Sequence, residues 1–378
     1  MGSIDSEECL YKAKPAPEIV IPEGASIKVS IINSTSALEV PLGAFMSPVQ
    51  PGHEILKGPA FSFLIEHSSG RKILFDLGCR KDWQKFPPSV LNLVTQPNWK
   101  IEVEKSVAEI LQENGVDAAG GAIDGIIWSH WHYDHIGDPS TFPGSTDLWV
   151  GPGTQEAFLP AYPGNPESVL LESDFAGREV KEADFQSNPL KIGKYPAIDF
   201  FGDGSFYLLD SPGHAVGHIC GLARTTSSSE GATEDTFIFM GADTAHHGGE
   251  FRPTEYLPLP KNVSPSPYKK GHMSSCPGHV FESIHPKGKG TSPFYSINDG
   301  IPFNTEQAHS TCCQMQEFDA LDNVFVIIAH DGSLLEAEVG MTWFPKATLK
   351  DWKKNDLAKK ARWGFLKDFS QAIDEKAN

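Results

Sequence analysis

The sequence SHWHYDHIGD, residues 129–138, places three histidines and an aspartate within six residues. It follows directly on an apolar run at residues 123–128, which predicts a buried β-strand. A cluster of these residue types after a strand is typical of a metal site and less typical of a histidine-rich surface loop. The stretch therefore predicts a strand that delivers metal ligands at its end, with further ligands elsewhere in the chain.

The spacing of the four side chains indicates how they can converge. Residues two apart point the same way on an extended segment and to nearly opposite sides of a helix. His130 and His132 can therefore reach one point only if the chain is extended there. Asp134 and His135 come next, where residues 137–139 (Gly-Asp-Pro) break any extension, so they can aim at a second, adjacent point. Imidazole and carboxylate ligands together favour zinc, with iron or manganese as alternatives.

Length and composition limit the class of protein and its partners. The 378 residues allow one large or two small domains. The formal net charge of -18 repels phosphate backbones, so a nucleic-acid partner is not expected. The acidic N-terminus does not resemble a signal peptide and no apolar run reaches membrane-spanning length, so no membrane partner is expected. Six scattered cysteines without a Cys-x-x-Cys pair indicate reduced thiols and a cytoplasmic location.

Potential metal ligands recur at the ends of predicted strands. The residues in question are Asp76, His130, His214, Asp243 and His330, each of which follows an apolar segment. Functional sites gather where several strand ends meet under loops. The repetition of this pattern therefore supports one metal site built from distant parts of the chain.

The organisation of the chain predicts one main domain with three additional features. Residues 1–24 are polar and Pro-rich and predict an N-terminal arm, and residues 25–378 predict a single domain. Residues 248–305 form a long insertion rich in Gly and Pro, which we expect to cover the site as a substrate-binding lid. Residues 349–372 have the pattern of an amphipathic C-terminal helix.

The motifs resemble those of a known family. His130–His135 is similar to the His-x-His-x-Asp-His signature of the metallo-β-lactamase superfamily. Further resemblances follow in the family's order: Phe75–Gly78 to its Asp-x-Gly element, Pro212–His214 with His218 to its Pro-Gly-His-x-x-Gly-His segment, Gly241–Asp243 to its strand-end aspartate, and Ala329–Asp331 to its last histidine. The tail also resembles the C-terminal helix of the N-acyl homoserine lactonase-like branch.

The resemblance implies a fold and a set of ligands. The fold is an αββα sandwich, an α/β architecture of two mixed β-sheets flanked by helices, with two divalent metal ions where the sheets open. Zn²⁺ is favoured, and Mn²⁺ or Fe²⁺ are alternatives. The implied ligands are His130, His132 and His214 for one ion, Asp134, His135 and His330 for the other, and Asp243 as the bridge. Asp76 would orient a ligand histidine, and His218 would support the site without binding metal.

The resemblance also implies a reaction on a small-molecule substrate. A hydroxide that bridges the metals would attack the carbonyl of a cyclic ester or amide, a lactone or a γ-lactam. Asp134 would pass a proton to the leaving group. In the lactonases a tyrosine three residues after the bridging aspartate contacts the substrate carbonyl, and here His246 takes that position. Both ring types therefore stay open as substrates. A homodimer is suggested by analogy alone, and the oligomeric state is left open.

Other functions use related metal sites. A thioesterase of the glyoxalase II or polyketide-processing type would need a basic patch or a carrier-protein groove, which this acidic chain does not suggest. A persulfide dioxygenase uses one iron, and a nuclease would need a basic surface. A non-catalytic relic that still binds metal is the remaining alternative, although such relics usually lose ligands. The complete ligand set favours a hydrolase.

Overall fold

Two six-stranded β-sheets form the centre of the molecule in a computed structural model that describes residues 8–187, 189–268 and 274–377. The first sheet contains, from edge to edge, β1 (Lys28–Asn33), β5 (Phe61–Glu66), β6 (Lys72–Phe75), β8 (Gly125–Ile127), β9 (Asp147–Val150) and β10 (Val180–Glu182). The second contains β11 (Lys191–Ile192), β12 (Tyr195–Asp199), β13 (Phe206–Asp210), β14 (Ile219–Thr226), β15 (Thr236–Ala242) and β19 (Val324–Ile328).

Parallel pairing brings the functional strand ends to common edges. In the first sheet β6, β8, β9 and β10 run parallel, and Phe75 pairs with Ile127. The segments that follow β6 and β8 therefore leave the sheet side by side. In the second sheet β15 and β19 are parallel neighbours, and the register shifts between Met240 and Ala242. Potential ligands after these strands consequently meet at one edge of each sheet.

The main hydrophobic core lies between the two sheets. Phe63 and Phe75 of the first sheet belong to the same buried cluster as Phe206 and Ile238 of the second. The outer face of each sheet carries a helix, with Leu111 packed against the first sheet and Met315 against the second. The arrangement of helix, sheet, sheet and helix confirms the predicted αββα sandwich.

Nine α-helices surround the sheets in the part of the chain that the structure describes. They are α1 (Pro88–Val94), α2 (Val107–Glu113), α3 (Thr154–Phe158), α4 (Glu172–Phe175), α5 (Gly248–Phe251), α6 (Gly278–Ser283), α7 (Thr305–Asp319), α8 (Leu357–Arg362) and α9 (Ser370–Ala377). Short 3₁₀ helices occupy Leu42–Ala44, Trp83–Lys85, Pro139–Thr141, Ser228–Glu230, Gly332–Leu335, Leu349–Asp351 and Gly364–Phe369. Ser106 and Glu109 form a capping box that starts α2, and the side chain of Asn304 caps α7.

Within the described residues, three small sheets lie outside the sandwich. One contains β4 (Ile55–Gly58), β2 (Ser36–Pro41) and β7 (Lys100–Val103) in that order. The others pair β3 (Met46–Ser47) with β18 (Ser296–Ile297) and β16 (Asn262–Val263) with β17 (Cys276–Pro277). The β4–β2–β7 sheet was not predicted, and its strands β2 and β4 form one wall of a cavity.

The C-terminal segment differs from the single helix predicted at residues 349–372. It contains two 3₁₀ helices, α8 and the start of α9, and Asp356 interrupts it with a left-handed φ of 55°. Trp352 packs in the core between the sheets, whereas Phe365 and Phe369 pack against residues of the insertion. A straight helix cannot bury side chains in both places, so the segment bends.

The insertion at residues 248–305 packs on the C-terminal segment and on the N-terminal arm. Its Phe281 and Phe294 share a buried cluster with Trp363 and Phe369 of the C-terminal segment. Backbone hydrogen bonds also join it to the N-terminal arm, as from the Leu10 N–H to the Leu259 carbonyl. Residues 269–273 of the insertion and residues 1–7 of the predicted arm lie outside the described residues. Among the helices described, none is long and apolar enough to cross a membrane.

Candidate metal centre

The centre is assembled at the edges where strands β6, β8, β15 and β19 end. After β8 the backbone N–H of Ser129 donates to Asp76 Oδ1 at 2.7 Å, which ties the loops after β6 and β8 together. After β15, Ala242 holds a left-handed φ of 43°, which is rare for a residue with a side chain. Together with the register shift in β15, this backbone conformation turns Asp243 away from the sheet and toward the site.

Asp243 lies between two groups of side chains. Its Oδ2 is 3.7 Å from His130 Nε2 and 3.4 Å from His214 Nε2. Its Oδ1 is 3.1 Å from His135 Nε2 and 3.0 Å from His330 Nε2. One carboxylate oxygen therefore faces each group, which is the arrangement that a bridging carboxylate requires.

The remaining predicted ligands complete the two groups. His132 Nδ1 is 2.9 Å from His214 Nε2, and Asp134 Oδ2 is 3.6 Å from His330 Nε2. Ligand atoms lie within 4.8 Å of one another both in the set His130, His132, His214 and Asp243 and in the set Asp134, His135 and His330. The structure thus brings all seven predicted ligands together. The chain is not extended at residues 130–132 as expected but follows a series of bends.

The polar atoms at the centre of the cluster fit divalent metal ions. His130 Nε2, His135 Nε2 and Asp243 Oδ1 are buried and have no hydrogen-bond partner among the residues that the structure describes. Burying polar atoms without partners costs free energy, so native proteins rarely leave several together. Converging imidazole nitrogens and carboxylate oxygens of this kind are the ligands that Zn²⁺, Mn²⁺ and Fe²⁺ accept.

The outer ring nitrogens of two histidines are held so that Nε2 can face the centre. His135 Nδ1 lies 2.8 Å from Asp76 Oδ2, as the sequence suggested for this aspartate. His330 Nδ1 donates to the carbonyl of Pro59 at 2.7 Å. A proton on Nδ1 leaves the Nε2 lone pair directed inward, which is the tautomer that a metal ligand needs.

His218 lies beside the centre with both ring nitrogens engaged. Its Nδ1 donates to the carbonyl of Ser211 at 2.9 Å, and its Nε2 accepts the backbone N–H of Asp243 at 3.2 Å. No lone pair remains for a metal. The ring instead holds the backbone at Asp243, in line with the supporting position expected for it.

Burial and charge set the protonation of the cluster. Burial lowers the pKa of His132 to about 3 and that of His214 well below its usual range. Burial disfavours charge on Asp243, but His135 and His330 hold the pKa of this carboxyl well below its ordinary value. Burial opposes charge on His135 and His330 as well, but the carboxylate of Asp243 raises the pKa of both rings, so binding of cations here would displace protons from them.

His246 lies on the Oδ2 side of Asp243. Its Nε2 is 3.4 Å from that oxygen, its Nδ1 is 3.6 Å from Glu250 Oε2, and its ring packs on Phe45 with 4.8 Å between centroids. Burial disfavours its charge, but the carboxylates of Asp243 and Glu250 raise its pKa to about 10. Bound cations would oppose this protonation. Either form of the ring can donate a hydrogen bond into the neighbouring cavity.

A cavity of about 260 Å³ opens above the cluster. Its floor contains ring and carboxylate groups of the cluster: His132, Asp134, Asp243, His246 and His330. Its walls are largely apolar and come from β2, β4, α1 and the adjoining loops: Leu38, Val40, Phe45, Leu56, Val90, Leu93, Trp99, Trp131, Tyr133, Val169 and Ile301. Of the described residues that line it, none is Lys or Arg.

The wall residues of β2, β4 and α1 were missed from the sequence, whereas Phe45, Trp131 and Tyr133 lie at the pocket as their positions suggested, and the expected lid is largely absent from the cavity. Among the described residues of the insertion, Gly300 and Ile301 alone line it. A large part of the wall comes from β2, β4 and α1 instead, and the rest comes mainly from the adjoining loops. A weak signal existed, because SALEVP at residues 36–41 alternates apolar and polar side chains as a half-buried strand does.

Gly213 is required where the loop of His214 meets α7. Its φ is 126°, and a Cβ there would lie 2.1 Å from the backbone nitrogen of Ala308. We expect Gly213→Ala to displace this loop, to lower the melting temperature and to release metal as His214 moves. Elemental analysis and thermal unfolding test this.

Gly202→Ala is the matched control, because its φ of 79° is also positive but none of the described residues has an atom within 4 Å of the added Cβ. The Gly202→Ala variant should lose only about 1–2 kcal/mol of stability, the usual cost of a left-handed backbone at a residue with a side chain, and should keep its metals. Equal behaviour of the two variants would contradict the expectation.

Fold and site together define a class of protein. The sequence profile of the metallo-beta-lactamase superfamily matches residues 56–224, which include the first three strand-end motifs, at Asp76, His130 and His214. Full-length relatives agree with this match, and the chain belongs to the metallo-beta-lactamase superfamily.

Two individual proteins and one solved structure are similar to this chain. Gamma-lactamase FDB1 from Fusarium pseudograminearum is 42% identical over 369 residues, which cover 95% of this chain and 86% of that protein. Gamma-lactamase MBL2 from Gibberella moniliformis is 50% identical over 241 residues, which cover 63% of this chain and 97% of that protein. Among solved structures, a quorum-quenching N-acyl homoserine lactone hydrolase superimposes with a TM-score of 0.51 at 17% identity, covering 87% of this chain and all of that chain. This last likeness concerns the fold alone.

Proposed function

We propose that this protein is a metal-dependent hydrolase that opens a small, uncharged cyclic amide or ester, with a γ-lactam ahead of a lactone. One observation carries the proposal: Asp243 presents one carboxylate oxygen to each of two ligand groups at the floor of an apolar cavity. The preference for the amide rests on the two similar proteins that are named gamma-lactamases.

The residues fit a pair of divalent ions, favoured as Zn²⁺ with Mn²⁺ or Fe²⁺ as alternatives. The proposed ligands are His130, His132 and His214 on one side, Asp134, His135 and His330 on the other, and Asp243 between them. When bound, such ions polarise a carbonyl and supply an acidified water molecule as nucleophile at neutral pH.

The protein's own side chains position the substrate and move protons. His246 lines the floor and donates a hydrogen bond to the carbonyl oxygen as charge develops on it. Asp134 also lines the floor, and burial raises the pKa of its carboxyl, which favours its taking a proton from the attacking water. That proton then passes to the leaving nitrogen or oxygen as the ring bond breaks, and an open-chain amino acid or hydroxy acid results.

The cavity restricts the substrate by size and charge. Its volume of about 260 Å³ falls below the roughly 300–1,000 Å³ of pockets for drug-sized ligands. Its walls offer apolar and aromatic surface and, among the described residues, no cationic partner for a carboxylate or phosphate. A compact ring system with apolar substituents therefore fits better than a charged thioester or a nucleic acid.

The test combines metal content with a hydrolysis panel on the same preparation of the full chain. We expect two metal ions per chain by elemental analysis and ring opening of apolar γ-lactams or γ-lactones, followed by mass spectrometry as a gain of one water. Simple acyl thioesters serve as the comparison. One iron with oxygen consumption, or cleavage of thioesters alone, would contradict the proposal. We also propose a cytoplasmic location, which the cysteine pattern supports and which fractionation of the source cells tests.

A further inference from the structure

A second polar cluster lies outside the cavity, where the early loop, the start of the insertion and the C-terminal segment meet. It contains His53, His247 and Asp368, whose ligand-type atoms lie within 4.8 Å of one another. Both histidines are buried, and Tyr295 extends the cluster through a 2.7 Å hydrogen bond between its hydroxyl and His53 Nδ1. Nothing in the hydrolytic mechanism uses these groups directly.

Hydrogen bonding shows that the cluster is not a third metal site. His247 Nδ1 accepts the backbone N–H of Gly249 at 3.0 Å, so the proton of a neutral ring is on Nε2. That nitrogen donates to Asp368 Oδ2 at 3.2 Å. His247 has no lone pair left for a cation. The pair instead forms a hydrogen-bonded link from the C-terminal segment to the backbone after β15.

Aromatic side chains hold the ring of His247 in place. Its centroid lies 5.3 Å from that of Phe365, 6.0 Å from Phe369 and 5.4 Å from Tyr295. Phe365 and Phe369 belong to the 3₁₀ helix that also carries Asp368. One element therefore supplies both the packing and the hydrogen bond that orient His247.

His247 directly follows His246, the proposed donor to the substrate carbonyl. Glu250 accepts the backbone N–H of His246, at 2.5 Å, and that of His247, at 3.2 Å, through the same oxygen. Glu250 thus fixes the backbone of His246 and His247, and Asp368 fixes the side chain of His247. Nδ1 of His247 accepts the Gly249 N–H at the start of α5, the helix that carries Glu250, so displacement of the His247 ring would disturb the turn that holds the backbone of His246.

We propose that Asp368 is a positioning residue, which acts through His247 to hold the ring of His246 at the reaction centre. The proposal rests on the proposed function, because it assumes the role given there to His246. Asp368 is 122 residues away from His246 in sequence and has no atom in the cavity lining. It makes the C-terminal segment a determinant of turnover.

The test uses four variants of the full, metal-loaded chain. We expect Asp368→Ala to lower kcat by about 10–100-fold, since misplacement from a distant change can cost about 100-fold, with KM and two bound metals unchanged. Asp368→Asn keeps an acceptor oxygen and should restore most of kcat. His247→Phe keeps the aromatic packing, loses both hydrogen bonds and should match Asp368→Ala, which covers the case that the alanine variant folds poorly. Asp374→Ala is the matched control: this acid lies in α9, the helix that follows Asp368, but accepts from Tyr268, and kcat should stay at the wild-type value.

A double-mutant cycle decides whether the effect runs through His246. In a His246→Phe background, Asp368→Ala should have no further effect on kcat. An additive loss, a wild-type kcat for Asp368→Ala, or loss of metal from it would each overturn the inference.

If the wild-type protein opens none of the lactams or lactones, the proposed function fails separately. The positioning is then read from the NMR resonances of the His246 ring, which should shift in Asp368→Ala and not in Asp374→Ala, and unchanged resonances would overturn it.

Discussion

Replacing Asp243 with Ala is expected to abolish hydrolysis and to leave the protein with fewer than two bound metal ions. The carboxylate presents one oxygen to His130 and His214 and the other to His135 and His330. Its removal takes a ligand from both groups and leaves neutral imidazoles without the negative charge that offsets two dications. Loss of an outer partner of a metal ligand costs about 10–100-fold, so loss of the shared ligand should exceed about 1,000-fold in kcat/KM.

Elemental analysis and kcat/KM on the same sample measure both effects. Asp210→Ala is the matched control, because this aspartate also ends a strand of the second sheet but is not part of either ligand group. It should keep both metals and normal turnover. An Asp243→Ala protein with two metals and unimpaired hydrolysis would remove the bridging role from the mechanism.

Replacing His246 with Phe is expected to lower kcat by about 100–1,000-fold while both metals stay bound. The estimate is the usual cost of removing one hydrogen-bond donor to a developing oxyanion. Phenylalanine preserves the contact of the ring with Phe45, so the wall of the cavity should keep its shape. His246→Gln offers an amide donor from a similar position and should lose less turnover than the Phe variant.

Metal analysis separates this role from direct coordination. His246 Nε2 is 3.4 Å from Asp243 Oδ2, close enough that a ligand role has to be tested. A Phe variant that lost one metal ion would make His246 a ligand. His285→Phe is the control for a buried histidine elsewhere, since its Nε2 bonds to Ser292 in the insertion, and kcat should not change.

The sandwich and the ligand cluster could be predicted from the sequence because their signals are local. Each ligand sits within a few residues of an apolar strand, and parallel neighbours such as β6 with β8 and β15 with β19 carry their ends to the same edge. The side chains of His130 and His135 follow from one short motif. The contact of His135 with Asp76, and the contacts of both histidines with Asp243, could be expected once the strand ends were known to meet.

The cavity wall could not be predicted in the same way. Val40 and Leu56 become neighbours only when β2 pairs with β4, and the intervening segment has the Gly and Pro content of a loop. The bend at Asp356 was equally hidden, because an amphipathic pattern indicates that side chains are buried but not in which cluster. Both errors concern contacts between distant segments, which hydrophobic periodicity does not specify.

Strands β2 and β4 and helix α1 supply a large part of the cavity wall and none of the seven proposed ligands. Part of the recognition surface is therefore encoded apart from the chemistry, whereas Trp131 and Tyr133 of the wall lie within the ligand motif itself. Substitutions at Leu38, Val40 or Val90 can alter which ring is accepted without touching the groups that break it. Gene duplicates of such a protein could therefore diverge toward new substrates through substitutions in the β2–β4 region and in α1 alone, while the proposed metal ligands stay unchanged.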